Sequence, residues 1–458
     1  MPRLANIKIF KNMLTKYKTA ILCILMMTFF SSCAYLPIEK LMKPPKLTKE
    51  QSEIYSALEK AVGTSDIKLK YPKSGKNRSA FVFYDLDADG IDEAIAFYQT
   101  NNSTMTRINI LDKAPNNVWY SRDDMSGGGT DVDFIDFVKI DTTETIHIII
   151  GWEDKLEVLN HATIFSYSEH ILTEEFSEDY TNIVIEDIDN DNYLDIILLL
   201  YGRSYGNADA MLIGKYKDQV DVVSQFHLNN NITSINQVKV GKTAENKVGI
   251  FIDETIDKDF YSTEVIGLED KKIVALLEND LRTEIVNEEV EIMTISPKRT
   301  LNVLCKDIDD DGFLEIPTTE LLPGYTENID DEKMYMTTYY KVSEDSLSSG
   351  TSFAINTDDG YSIKLPDKWI GNVTVIKQPE TGEWKFIPYE NGVVDENIEP
   401  LLRIQVYSQN DYRDKFDSDN FSLLAQKGIF EYYFAIPNQN HKLSITENQL
   451  KMIFALTN

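Results

Sequence analysis

Three acidic segments of this chain carry carboxylates at a spacing that suits metal binding. They read DLDADGIDE from Asp85, DIDNDNYLD from Asp187 and DIDDDGFLE from Asp307. Their shared pattern is D-x-D-x-D-[GN]-x-x-[DE]. Carboxylates placed this close together repel one another unless a cation or water separates them. Calcium takes roughly six to eight oxygen ligands, and a ladder of aspartates on a tight loop can supply them.

Two other interpretations of these segments are open. An EF-hand uses the same ladder, but it needs a glutamate at loop position 12 and a helix on each side. Position 12 holds Ala96, Leu198 and Thr318, and flanking runs such as FVFY and IILLLY have the composition of strands. The second alternative is a set of solvated aspartate turns without an ion. We expect each segment to join two strands as a hairpin shaped for a metal.

The spacing of the segments indicates a repeated β-unit. Between them lie two degenerate copies, one from Phe137 with Lys139 in the place of Asp85, the other from Val238 with Lys239 in that place. Either these lysines put an ammonium where the other copies hold a metal, or the two loops have lost binding. Units of about 40 to 55 residues with several short strands are typical of a β-propeller. Residues 66–346 have room for five or six blades.

The three loops resemble the calcium loops of FG-GAP or VCBS-type repeats, which occur in integrin α-subunit propellers and many bacterial surface proteins. The resemblance implies a loop that joins two strands of a blade and holds calcium. Asn192 stands where glycine is usual, and two segments end in glutamate. Carried over by position, the resemblance implies as side-chain ligands Asp85, Asp87, Asp89, Glu93, Asp187, Asp189, Asp191, Asp195, Asp307, Asp309, Asp311 and Glu315, and as backbone carbonyl ligands Ile91, Tyr193 and Phe313.

The N-terminal residues predict export and lipid attachment. Residues 1–32 contain five basic residues and no acidic one, and include the apolar run AILCILMMTFF. That run is too short to cross a bilayer and suits a signal peptide. The FSSC sequence that ends at Cys33 resembles a bacterial lipoprotein signal, which implies lipidation of Cys33 and a location at the cell membrane, facing the extracellular or periplasmic side. An ordinary signal peptide or an uncleaved anchor is the alternative.

Two further regions flank the repeats. Residues 33–47 contain paired prolines and lysines and predict an extended tether, and residues 48–65 predict a helix with a capping box of Thr48 and Gln51. Residues 353–458 show strand patterns and end in a helix with Ser444 and Glu447 as its predicted capping box. The expected fold class is mainly β, with a propeller followed by a small α+β domain.

Charge and missing motifs limit the function. A formal net charge of −30 repels nucleic acid, so we exclude DNA and RNA as partners. The chain lacks the H-E-x-x-H, G-x-S-x-G, P-loop and G-x-G-x-x-G motifs. We expect a lipid-anchored, calcium-binding propeller that binds or scaffolds an envelope protein or polysaccharide. The alternative is an envelope carbohydrate-active enzyme, a lyase or hydrolase, built on the same propeller.

Overall fold

Antiparallel β-sheets make up most of the described chain, which confirms the mainly β prediction. The computed structural model describes residues 47–457 except residues 141–142, 144, 156–158, 203–207, 230, 245, 257–259, 278–280, 287–288, 295–297, 327–332, 344–345, 348–349, 391, 393, 396 and 409–419. The predicted signal peptide, Cys33 and all but the last residue of the predicted tether lie outside these residues. Within the described part of the chain, no helix combines the length and the apolar character needed to cross a bilayer.

The first helix, α1 (Lys49–Val62), begins and ends as the sequence predicts. The Thr48 hydroxyl accepts a hydrogen bond from the Gln51 N–H, and the Gln51 side chain accepts one from the Thr48 N–H. The helix ends at Gly63, whose φ of 77° lies in the left-handed region that glycine adopts readily. Ile54 and Leu58 are buried against the first sheet, so α1 closes one side of that sheet.

The first sheet contains five strands, namely β1 (Ile67–Lys70), β2 (Phe81–Tyr84), β3 (Glu93–Thr100), β4 (Arg107–Lys113) and β5 (Trp119–Ser126). β3, β4 and β5 form an antiparallel meander. β1 and β2 both pair with β3, one at each end of it. The first acidic segment joins β2 to β3, as expected for a hairpin.

Sheets two, three and four each consist of four consecutive antiparallel strands. Their strands are β6 (Asp131–Val138), β7 (His147–Glu153), β8 (Asn160–Ser168) and β9 (Ile171–Tyr180); β10 (Asn182–Glu186), β11 (Asp195–Leu200), β12 (Asp209–Tyr216) and β13 (Gln219–His227); and β14 (Ile232–Lys242), β15 (Val248–Ile256), β16 (Phe260–Glu269) and β17 (Lys272–Ala275). A separate hairpin follows, with β18 (Leu281–Val286) and β19 (Glu289–Thr294).

Sheets five and six complete the described chain. Sheet five contains β20 (Glu315–Leu321), β21 (Tyr335–Ser343), β22 (Ser346–Leu347), β23 (Thr351–Asn356), β24 (Tyr361–Lys364) and β30 (Phe454–Leu456). Sheet six contains β25 (Val373–Lys377), β26 (Trp384–Pro388), β27 (Leu402–Ser408), β28 (Ser422–Lys427) and β29 (Phe430–Ala435). Because β21 pairs with β23, one sheet runs across the expected domain boundary between residues 346 and 353.

The final helix differs in detail from its prediction. Helix α2 (Glu447–Ile453) has a capping box of Thr446 and Gln449, so the prediction of Ser444 and Glu447 was wrong by two residues. The chain leaves α2 directly into β30, which pairs with β24. Ser444 with Glu447 and Thr446 with Gln449 both fit the capping-box motif. The observed box is the second pair, because the helix begins at Glu447.

Shared hydrophobic clusters join consecutive members of the first five sheets. These sheets therefore stack in sequence order, and sheets two to four each bury one face against the preceding sheet and the other against the following one. Pairs of residues that share a cluster are Ile95 with Trp152 for sheets one and two, Ile149 with Leu198 for two and three, Leu199 with Ile252 for three and four, and Phe251 with Ile316 for four and five.

Candidate metal centres

The three acidic segments occupy the same structural position in their sheets. The first joins β2 to β3, the second joins β10 to β11, and the third lies just before β20. Before the third segment the chain makes an isolated bridge between Lys306 and Glu315 in place of a full strand. Each loop is followed by a strand, and the described residues on either side of the three loops contain no helix, so the EF-hand interpretation is wrong.

The three loops fold with the same internal hydrogen bonds. In each, the N–H of the sixth residue donates to the first aspartate, that of the seventh to the fifth aspartate, and that of the second to the final acid. The first of these bonds measures 3.1 Å from Gly90, 3.0 Å from Asn192 and 2.8 Å from Gly312. The second measures 2.8 Å from Ile91, 2.9 Å from Tyr193 and 3.1 Å from Phe313. The third measures 2.7 Å from Leu86 and 2.9 Å from both Ile188 and Ile308.

The backbone of each loop turns back through two left-handed residues. The sixth residue has φ of 87° at Gly90, 71° at Asn192 and 89° at Gly312. The fourth residue is also left-handed in all three loops. Asparagine tolerates this region better than most residues. Asn192 therefore keeps the loop geometry although it departs from the glycine of the motif.

Carboxylate oxygens converge in all three loops. In each group they lie within 4.8 Å of one another. The groups are Asp85, Asp87 and Glu93; Asp187, Asp189 and Asp195; and Asp307, Asp309, Asp311 and Glu315. Asp89 and Asp191 are outside the groups found among the described residues. Coordination by the backbone carbonyls of Ile91, Tyr193 and Phe313 stays a prediction. These clusters could hold a metal ion.

The final acid of each loop is the buried member of its cluster. Glu93, Asp195 and Glu315 are 1%, 6% and 2% exposed. Burial raises the pKa of Glu93 to about 7, and it also raises the pKa of Asp195 and of Glu315. Buried oxygens without a hydrogen-bond partner include Asp85 Oδ1 and Glu315 Oε1. A buried carboxylate oxygen that accepts no hydrogen bond inside such a cluster fits a cation.

Basic side chains from elsewhere in the fold reach these clusters. At the second loop, Lys271 Nζ lies 2.9 Å from Asp189, 2.6 Å from Asp191 and 3.6 Å from Asp195. At the third loop, Lys341 Nζ contacts Asp311 and lies 3.6 Å from Asp309 and 3.7 Å from Glu315. At the first loop, the His170 ring lies 3.6 Å from Asp87. The sequence analysis missed all three basic residues.

Of the two lysines that the sequence aligns with Asp85, one lies at a loop and the other does not. Lys139 follows β6 directly, at the start of the connection to β7, as predicted. Lys239 lies inside β14 and pairs with Phe251, so its assignment was wrong. The turn between β14 and β15 covers only residues 243–247. Because this turn is shorter than the acidic loops, aligning the repeats by their apolar runs placed the start of the loop too early in the chain, at Lys239.

The second loop also borders two cavities. One, of about 340 Å³, is lined by Asp191, Asp195 and Lys271 among others. The other, of about 490 Å³, lies between the loop and the ends of β2 and β6. Its lining includes Tyr84 and Phe137, whose rings stack at 4.0 Å with an interplanar angle of 13°. Residues from sheets one, two and three thus meet around one cavity.

Comparison with known proteins adds little to this description. No protein-family model and no curated protein matches the chain. Among solved structures, an exo-β-1,3-galactanase from Phanerochaete chrysosporium with β-1,3-galactotriose is similar to it at 8% sequence identity and a TM-score of 0.24. The match covers 70% of this chain and 88% of the galactanase. A similarity at that TM-score supports no conclusion about fold or function.

Proposed function

We propose that the protein is a calcium-binding β-propeller that serves as a binding or scaffold protein at the bacterial cell envelope. The observation that carries this proposal is the convergence of carboxylate oxygens within 4.8 Å in three loops. The loops share their hydrogen bonds and left-handed residues, so the three clusters are repeats of one design. Calcium suits such clusters because it accepts several carboxylate oxygens in flexible geometry.

The propeller proposal is supported by the order of the sheets. Four-stranded antiparallel meanders that stack in sequence order are the building units of propeller blades. Sheets two to four have this form. Sheet one has it in β2 to β5, with β1 added beside β3, and sheet five continues the stack.

The binding role is supported by the cavity beside the second loop. Its stacked Tyr84 and Phe137 rings and nearby Asp191 offer an apolar face next to polar groups. This combination suits a saccharide or a protein side chain. We propose an envelope protein or polysaccharide as the partner, with Cys33 carrying the lipid that holds the protein at the outer face of the membrane.

Thermal unfolding tests the calcium proposal. Since calcium would bind the folded state alone, a site at 100 times its dissociation constant would add about 2.7 kcal/mol to the free energy of unfolding. We expect a chelator to lower the melting temperature, calcium to restore it, and magnesium to restore it poorly. The triple variant Asp85→Asn, Asp187→Asn, Asp307→Asn should not respond. A wild-type melting temperature that ignores chelation and calcium would refute the proposal.

Lipid attachment has its own test. We expect the protein expressed in a bacterium to incorporate labelled palmitate and to sediment with membranes, and the Cys33→Ala variant to do neither. Labelling of the variant at the wild-type level would contradict attachment at Cys33.

A further inference from the structure

Lys271 occupies the position of a counter-ion in the second loop. It belongs to the turn between β16 and β17 in sheet four, whereas the loop belongs to sheet three. Its ammonium contacts Asp189, Asp191 and Asp195. Two of these, Asp189 and Asp195, are members of the converging group. A metal ion and this ammonium would therefore share the carboxylates of Asp189 and Asp195.

Lys341 is the corresponding counter-ion of the third loop, and it belongs to a different structural element. It lies on β21 and pairs directly across from Glu315 at the start of β20. Its ammonium reaches Asp309, Asp311 and Glu315, all of which belong to the converging group. Two separate parts of the fold thus deliver a lysine to the centre of an acidic loop.

The first loop is different. The residue near its buried acid Glu93 is Asp112, whose negative charge adds to the effect of burial on Glu93. Asp112 is itself held by Arg122 and Tyr120. Among the ion pairs between described residues, the basic group at this loop is the His170 ring, 3.6 Å from Asp87. No described lysine forms an ion pair with the carboxylates of the first loop.

His170 in sheet two and Lys271 in sheet four occupy matching places. Each is the second residue of the turn between the third and fourth strands of the sheet that follows the loop, and both have positive φ, 64° and 57°. Each also contacts the third residue of its loop, Asp87 or Asp189. An equivalent turn thus contacts an equivalent loop in both places, through an imidazole at the first loop and an ammonium at the second.

We infer that Lys271 and Lys341 are tethered cations that compete with the metal ion for the second and third loops. This inference rests on the proposed calcium function and adds its regulation. The first loop, without a lysine, is then the tightest calcium site. The other two loops are weaker sites that fill only when the ion displaces an ammonium. At low calcium, one lysine of the same chain offsets part of the negative charge of each of these two loops.

Displacement of these lysines is physically accessible. Their side chains are 53% and 27% exposed, so either ammonium can swing into water without crossing the core. A divalent ion would bring two charges where the ammonium brings one. Exposed ion pairs contribute about 0.2 to 1 kcal/mol each, so loss of three contacts predicts about a tenfold change in calcium affinity.

Terbium luminescence sensitised by tyrosine provides the measurement. Tyr193 lies in the second loop, and the Tyr193→Phe variant identifies the part of the signal that comes from that loop. Since the ammonium would compete with terbium as it does with calcium, we expect Lys271→Met to lower the terbium concentration that half-saturates the second-loop signal by about tenfold. Lys271→Arg, which keeps the charge, should behave like wild type. The matched control is Lys272→Met, which removes the same charge from the next, exposed position and should change the concentration by less than about twofold.

The possible outcomes separate the inference from the proposed function. Equal half-saturating terbium concentrations in Lys271→Met and Lys272→Met, with binding at the second loop intact, would overturn the inference alone. If the wild-type protein shows no terbium or calcium binding that Asp85→Asn or Asp187→Asn reduces, both the inference and the calcium function are overturned. A tenfold gain confined to Lys271→Met would confirm the competition.

Discussion

Replacing Arg299 with methionine tests the buried ion pair that it forms with Asp253 of sheet four. The Arg299 side chain is 0% exposed and lies 2.9 Å from Asp253. It also donates to the carbonyl oxygen of Val303 at 2.8 Å and to the Thr263 hydroxyl at 2.9 Å. The segment that contains Arg299 lies between the hairpin of β18 and β19 and the third acidic loop. The guanidinium therefore ties this segment to β15 and β16.

The expected cost follows from what Asp253 retains. Removing one partner of a buried ion pair costs about 3 to 5 kcal/mol, because the remaining charge is buried without compensation. In Arg299→Met, the Asp253 carboxylate keeps hydrogen bonds from Gln237 Nε2 at 2.9 Å and from the Cys305 N–H at 2.8 Å. We therefore expect the lower end of the range, about 3 kcal/mol, measured as the loss in free energy of unfolding from urea titrations.

Two comparisons make this prediction specific. Adding Asp253→Asn to Arg299→Met removes the stranded charge and should recover at least about 1 kcal/mol. Arg78→Met, at an exposed site where the guanidinium donates to the Gly75 carbonyl, should cost less than about 0.5 kcal/mol. If Arg299→Met costs no more than Arg78→Met, the reasoning about the buried pair is refuted.

Three other substitutions test further parts of the fold by the same urea titration. Burial raises the pKa of Glu254 to about 9 from 4.5, so the folded state keeps a proton that the unfolded state has lost, and stability should fall between those pH values. Glu254→Gln should remove most of this decrease in the free energy of unfolding, although burial also raises the pKa of the neighbouring Glu264. Gly128→Ala puts a Cβ 2.7 Å from the Trp152 ring and should cost about 1 to 3 kcal/mol. Gly312→Ala meets no atom within 4 Å but has φ of 89°, so backbone strain alone should cost about 1 kcal/mol.

Features that depend on a few consecutive residues could be predicted from the sequence. Each acidic loop sets its own shape, because the aspartates that bind its backbone N–H groups and the residue that turns left-handed lie within nine positions. The same holds for α1, where Thr48 and Gln51 cap each other. The apolar runs on both sides of the second loop likewise became β10 and β11.

Features that depend on distant pairing could not be predicted in this way. Lys271 lies 80 residues from Asp191, and nothing in the local sequence of the turn marks it as a neighbour of an acidic loop. The position of Lys239 depended on the length of one turn, because each residue lost from a turn shifts the register of the following strand. Sheet five continues across the polar stretch near residue 346 because β21 pairs with β23. Tertiary packing, and not the local sequence, determines that pairing.

Anomalous X-ray scattering from crystals grown with calcium tests the central claim most directly. We expect a peak within coordination distance of Asp85, Asp87 and Glu93, and corresponding peaks in the other two loops at high calcium, with Lys271 and Lys341 turned away from their loops. Crystals of a folded protein that show no peak at any of the three carboxylate clusters at high calcium would contradict calcium binding by these loops.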